Sequence, residues 1–211
     1  MPRQTRELTT LRFDGLRFEG AWLDVDVLPD LVAYKDLIIE TAKELWRRDN
    51  PSRTRLPAHF DAVAIKFREI RAGSTIIPLV REVSDEIVPQ LPFEINVDND
   101  HFDTAAAIIE ESIDAAARDI PLPDLLPRSV IPLFDRFGKT LREGEAICAQ
   151  ARTRDKEVRY TEAVRSRITA WLTEIYEDLI DKTGEIRMAD IDGRNFILRI
   201  NDGSKIPGKF V

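Results

Sequence analysis

Apolar residues along this chain recur with two different periods, and the period changes several times. The stretch LTTLRFDGLRFEGAWLDVDV opens with a near-tandem pentapeptide, residues 11–15 and 16–20, too short to be a structural repeat. Leu11 and Phe13, then Trp22 and Val25, are arranged around two glycines and predict two strands or one strand with a bulged turn. The period then becomes helical. Leu28, Leu31, Val32, Ile38, Ile39, Ala42, Leu45 and Trp46 mark one stripe, with Asp26 as the cap. Pro29 falls in the first turn, where its missing N–H costs nothing, and Asn50-Pro51 stops the run. Between residues 60 and 83 the period returns to two. Val63, Ile65 and Phe67 alternate with Ala64, Lys66 and Arg68, and Ala72, Gly73 and Ser74 supply the turn of a hairpin. Pro78 cannot donate a ladder hydrogen bond, which places the second strand at an edge.

Residues 84–101 form a proline-punctuated connection with room for a short strand at 93–97. Asp103 reads as the cap of a helix running to Arg118, with a stripe of Ala106, Ile109, Ile113 and Ala117 and with Phe102 before the cap. Prolines then block helix until Ser129. SVIPLFDRFGKTL predicts a further helix and GEAICAQA a strand. Thr161 caps a last helix whose face is Val164, Ile168, Trp171, Leu172, Ile175 and Leu179, ended by Gly184 as a left-handed residue. That pattern also fits a shorter helix followed by a strand.

The final segment, IRMADIDGRNFILRINDGSKIPGKFV, carries two Asp-Gly pairs, the strongest short hairpin signal. Ile186 and Met188, then Phe196, Leu198 and Ile200, then Ile206 and Phe210 give three short strands with one apolar face. Strands and helices mix without regular βαβ alternation, so the fold class is α+β, with antiparallel hairpins. The division expected is a main domain over 1–182 and a small-barrel-like meander over 183–211, packed on it. The third strand supplies an open edge at Ile206, Lys209 and Phe210, with Pro207 and Lys209 as mild protection. Such an edge suits strand addition by a partner.

Composition narrows the function classes. At 43% apolar and 33% charged residues the chain reads as soluble, and no stretch approaches the length needed to cross a bilayer. The opening MPRQTRELTTLRFDG lacks the apolar core of a signal peptide, and a single cysteine, Cys148, precludes an internal disulfide; together they predict a cytoplasmic protein. Net charge of −7 argues against a general nucleic-acid binder. The charge is segregated: residues 82–124 hold twelve acids against Arg118 alone, leaving the rest of the chain net positive. Basic residues concentrate in 43–55 and 151–167. Complementary charged surfaces of this kind favour salt-sensitive association.

Candidate chemistry is sparse. Gly138-Lys139-Thr140 ends like a phosphate-binding loop, but Leu133 stands where that loop needs its first glycine. Asp98, Asp100, His101 and Asp103 form the one cluster of residue types suited to a hard or borderline divalent ion. They miss the calcium-loop template, since Phe102 takes its fifth position and no glycine its sixth, and acids before a helix are also what capping favours. With two histidines, no Gly-x-Ser-x-Gly and no Cys-x-x-Cys, catalysis has few candidates, and Cys148 reads as a buried strand residue. Arg47, Arg48, Arg53 and Arg55 beside Trp46 could contact a nucleic-acid backbone, although Trp46 lies on the apolar stripe. No cofactor is implied. The expectation is therefore a non-enzymatic module that associates with itself or a partner protein through charged surfaces and the C-terminal sheet edge. A metal-assisted hydrolase at 98–103 is the alternative, and a nucleic-acid-binding accessory protein the third.

Overall fold

A computed structural model describes residues 4–67, 69–71, 75–83, 100–171, 184–190, 195–200 and 205–209. The chain divides into two compact units, 1–174 and 175–211.

The first unit is built from β1 (Gln4–Asp14), α1 (Leu28–Asp49), α2 (His59–Ala62), β2 (Ile65–Phe67), β3 (Thr75–Val83), α3 (His101–Ala117), α4 (Ile131–Phe134), β4 (Ala146–Ala151), β5 (Val158–Tyr160) and α5 (Glu162–Ala170). Its five strands make one antiparallel sheet in the order β2-β3-β1-β4-β5. The fold is thus mixed α+β. β1 is the axis of the sheet, sending Leu11 and Phe13 into the core while Arg12 and Asp14 point the other way. On that second face Arg12 grips Glu157 at 2.5 and 3.0 Å and Arg159 pairs with Asp14. Cys148 lies beneath this lattice, buried, with its thiol pushed up chiefly by desolvation.

α3 covers the core face, lying against β1, β4 and β5 and packing on α1 and α5. It is buried almost all round: Ala105, Ala106, Ile108, Ile109, Ile113 and Ala116 are all inside, so its small residues allow close approach on more than one side. An aromatic cluster closes one end of the core. Tyr160 stacks on Phe137 with centroids 4.6 Å apart, Phe137 meets Tyr34 at 4.9 Å, and the Tyr160 hydroxyl donates to the Phe134 carbonyl at 2.7 Å. Gly138 makes this possible. Its φ is +70°, and a Cβ there would stand 2.9 Å from the Tyr160 ring.

Several sequence expectations change in the folded chain. The tandem pentapeptides do not give two strands. Gly15, at φ +143°, ends β1, and 3-10 turns over Leu16–Ala21 and Val25–Val27 follow. That segment is pinned because Phe18 is buried and Arg17 binds Glu145 at 2.8 Å and the Thr140 carbonyl at 2.8 Å. Asp26 is not the cap of α1: Asp24 caps the preceding 3-10 turn, and Val27 stands at the helix N-cap.

β3 is interior rather than an edge, lying between β2 and β1. Its pairing with β2 runs from Arg81 to Leu79, beside Pro78, and a two-way bridge joins Arg71 and Ile76 beyond it. By alternation the Pro78 nitrogen faces the β2 side, so the missing donor falls where the described β2 ladder has ended. The 129–141 helix shrinks to a 3-10 turn at Arg128–Val130 followed by the single turn of α4. Strand β5, which lay unnoticed in a basic stretch, completes the sheet. Thr161 caps α5, accepting from the Val164 amide at 3.4 Å; the rest of the predicted stripe, from Leu172 on, and the strand expected at 93–97 lie outside the described residues.

The second unit is a three-stranded antiparallel meander, β6 (Gly184–Asp190), β7 (Asn195–Ile200) and β8 (Lys205–Lys209), in that order. Gly184, expected as the left-handed residue after the last helix, is the first residue of β6, opposite Ile200, and the residues before it lie outside the described ones. The simple alternation is interrupted: Ile186 pairs with Leu198, the register shifts, and Met188 pairs with Ile197. The described strands do not close into a barrel.

Candidate functional site

The acidic segment resolves into a helix cap. Asp100 is the N-cap of α3, its carboxylate accepting from the amides of Phe102 at 2.9 Å and Asp103 at 3.2 Å. The Asp103 carboxylate returns the favour to the Asp100 amide at 3.3 Å, closing a capping box. The cap therefore sits three residues before the position expected from sequence, because both acids are needed to satisfy the first orphan N–H groups.

Asp103 is fully buried and lies among three guanidiniums: Arg6 at 3.5 Å, Arg81 at 3.8 Å and Arg152 at 3.4 Å. Arg81 also pairs with Asp100 and lies over the Phe102 ring, 5.1 Å from its centroid. These carboxylates are held by arginines from β1 and β3 and from the turn after β4, an arrangement that locks α3 onto the sheet. His101 stands apart, its Nε2 3.2 Å from Asp49 at the end of α1, and Asp98 lies outside the described residues. Among the described residues, no group of three or more His, Cys, Asp or Glu side chains is placed to hold a metal ion.

The basic stretch separates in the same way. Arg47 and Arg48, at the end of α1, pair with Glu44 and Asp49. Arg53 and Arg55 are exposed on the following loop. Trp46 points inward, buried against Phe60 at 6.2 Å, so the aromatic does not stand beside these arginines at the surface. In the second unit Ile206 and Lys209 pair with Leu198 and Asn195 on the inner side of β8, and Phe210 lies outside the described residues.

Three features escaped the sequence reading. The first is the Gly138-Lys139-Thr140 turn. Its backbone amides and the Thr140 hydroxyl converge on the buried carboxylate of Asp30, with Lys139 N at 3.1 Å and Thr140 Oγ1 at 2.5 Å. An anion cradle of this kind is filled here by the chain's own aspartate. Desolvation holds the Asp30 carboxyl above its ordinary range, opposed by those donors.

The second is Glu110, one of the fully buried residues of α3. It takes a hydrogen bond from Thr9 Oγ1 at 3.3 Å and another from the Ala151 amide. Its second oxygen faces Arg154 Nε at 3.7 Å, too far for a hydrogen bond, and neither atom has another partner among the described residues. The Tyr34 hydroxyl, 3.4 Å from Thr9 Oγ1, continues the cluster. Burial pushes the Glu110 carboxyl up to about 7. A glutamate amid the apolar run AAAIIEES was the available signal, since one charge on a stripe that otherwise faces a core must be buried or terminate it.

The third is a surface: Leu16, Trp22, Val25 and Val32 are strongly exposed around the start of α1. Chemically, the described residues offer buried carboxylates, Asp30 and Asp103 held by internal donors and Glu110 only in part, and apolar side chains exposed around the start of α1. No protein-family model, curated protein or solved structure matches this chain.

Proposed function

We propose that this protein is a non-enzymatic interaction module that assembles through its C-terminal sheet edge, with charged surfaces setting the salt dependence. The observation that carries this reading is the order β6-β7-β8: among the described residues each outer strand is paired on one side only. A three-stranded sheet of this size gains stability when a further strand or layer covers it, and an unpaired row of N–H and C=O groups is a template for one. Ile186, strongly exposed on β6, adds apolar surface at the opposite edge of the same sheet. Strand addition at β8, near Ile206 and Lys209, would extend the meander toward a small barrel shared between chains. Its single buried thiol suits the reducing cytosol. The metal-assisted hydrolase and nucleic-acid readings draw less support, because arginines already hold Asp100 and Asp103 and because Trp46 is inside.

The test is the mass in solution of the full chain, by light scattering at low and moderate salt. The reading expects a species heavier than 24.1 kDa that weakens with salt and is lost when residues 184–211 are removed. A single 24.1 kDa species at both salts overturns self-assembly.

A further inference from the structure

The turn from β4 to β5, residues 152–157, is tied to the rest of the first unit by three charged side chains. Arg152 reaches Asp103 at 3.4 Å on the helix-covered face of the sheet, and Glu157 meets Arg12 at 2.5 Å on the other face. The third tie is open. Arg154 Nε lies 3.7 Å from Glu110 Oε2, and both atoms are buried without a hydrogen-bond partner among the described residues. A movement of about 0.7 Å would close them to the ordinary N–H···O distance of about 3.0 Å. The Arg154 side chain is also 27% exposed, so solvent is open to it in the other direction.

The charge on Glu110 selects between these two positions, because Arg154 is the cation that faces it. From α1 its neighbour is Tyr34, whose hydroxyl burial pushes well above its ordinary range, and from β1 it is Thr9. From β4 it is the Ala151 amide. β5 turns Val158 inward and sends Arg159 to Asp14 on the far face. On α5, Arg165 and Arg167 donate to the carbonyls of Gly138 and Ala116. Arg6 and Arg152 are committed to Asp103, while on α3 itself Asp114 pairs with Arg118 and Glu111 is exposed. An ionised Glu110 therefore has one guanidinium to turn to. A neutral Glu110 carries an O–H, which a guanidinium, having donors only, does not accept.

We propose that Glu110 and Arg154 form a proton-operated clasp on the β4–β5 turn. Loss of the Glu110 proton draws the guanidinium inward until Nε donates to Oε2, and gain of the proton releases Arg154 toward solvent. The turn follows, because the Arg154 amide donates to the Ala151 carbonyl at 2.9 Å and its carbonyl accepts from the Gln150 side chain at 3.3 Å. Burial sets the change near neutral pH, with the Glu110 carboxyl pushed up to about 7. The Glu157 tie holds through that range, since the hydrogen bond from Arg12 keeps its carboxyl below the ordinary range. The clasp uses only the first unit and does not rest on assembly through β8.

The test follows the isotope-labelled full chain between about pH 5.5 and about pH 8.5, by NMR of the Arg154 Nε–H and by hydrogen exchange of amides 152–157. In the parent the Nε–H signal should shift with a midpoint of about pH 7. Protection of the turn, corrected for intrinsic exchange rates, should rise about fivefold or more with pH. That sign separates the clasp from global stability, which falls as the buried carboxyl becomes charged. Glu110→Gln keeps the side chain's shape and removes its titration, so both readouts should be level. Arg154→Gln, at a partly exposed position, should level the protection profile and keeps the test decisive where Glu110→Gln does not fold. A static Nε–H signal in the parent, or turn protection that stays level or falls with the rest of the unit, overturns the proposal. A pH response of the turn that persists in either variant overturns it too.

Discussion

Asp103 and Glu110 lie two turns apart on α3, both fully buried, and the protein treats them in opposite ways. Asp103 is at the helix start, where the capping geometry and three arginines supply positive potential from all sides. Glu110 is mid-helix, where the backbone N–H groups of its own element are already used. Its help comes from Thr9, one amide of β4 and a guanidinium that stops short at 3.7 Å. The charged form of Glu110 is therefore underserved and its carboxyl is held at about 7. Burial alone does not decide a carboxylate's state; the donors that reach it do. Asp30 is intermediate, with a turn's amides wrapped about it and its carboxyl still held above the ordinary range.

The largest effect expected on this contrast is from Asp103→Ala. It removes half of the capping box and leaves Arg6, Arg81 and Arg152 crowded around an emptied site. Breaking a buried pair of this kind costs about 3–5 kcal/mol, read as a fall in the urea midpoint.

Glu110→Gln should act in the other direction and only in one pH range. A carboxyl raised from 4.5 to about 7 in the folded state binds its proton more tightly there than in the unfolded chain. Its contribution to stability is therefore fully present below pH 4.5 and is lost as pH rises to about 7. At about 1.4 kcal/mol for each pH unit between those values, the loss is roughly 3 kcal/mol. Relative to Glu110→Gln, the parent should weaken progressively across that window and then run parallel above it. Denaturant unfolding at a series of pH values checks this, and parallel curves throughout would show that the donors reaching Glu110 are enough to offset its burial.

Arg154→Gln sharpens the same point with a smaller change. The Arg154 charge favours ionised Glu110, so removing it should move the titration midpoint upward, seen by side-chain carboxyl NMR. The smallest effect is expected from Arg152→Gln. It removes one partly exposed guanidinium of three around Asp103, and about 1 kcal/mol or less should be lost in thermal or urea unfolding.

Much of the architecture was legible because it rests on local pattern. The stripe from Leu31 to Trp46 specified α1, alternation specified the pairing of β2 with β3, and the Asp-Gly pairs specified the meander. The errors fall where a distant residue overrides a local preference. Arg17 and Gly15 convert an alternating run into 3-10 turns through contacts with Glu145, more than a hundred residues away. The Gly138 turn replaces a predicted helix because Asp30 and Tyr160 claim its amides and its bare α-carbon. The candidate site was the least legible part, since exposed Leu28 and Val32 were written into the core periodicity of α1. Leu28 and Val32 sit on the same stripe as Leu31 and Ile38, and spacing cannot say which part of a wide stripe reaches the core.

The sequence by itself determined α1, α3, the pairing of β2 with β3 and the three strands of the meander, that strands and helices mix as α+β, and that acids begin α3. Those outcomes follow from side-chain period, capping chemistry and turn residues, all of which act within a few positions. Only the tertiary structure decided that β3 is interior, that arginines from three places converge on Asp103, and that Glu110 lies buried with too few donors. It also left Trp22 and Val32 at the surface. Burial and long-range charge compensation depend on which distant segments the fold brings together, and no local pattern records that.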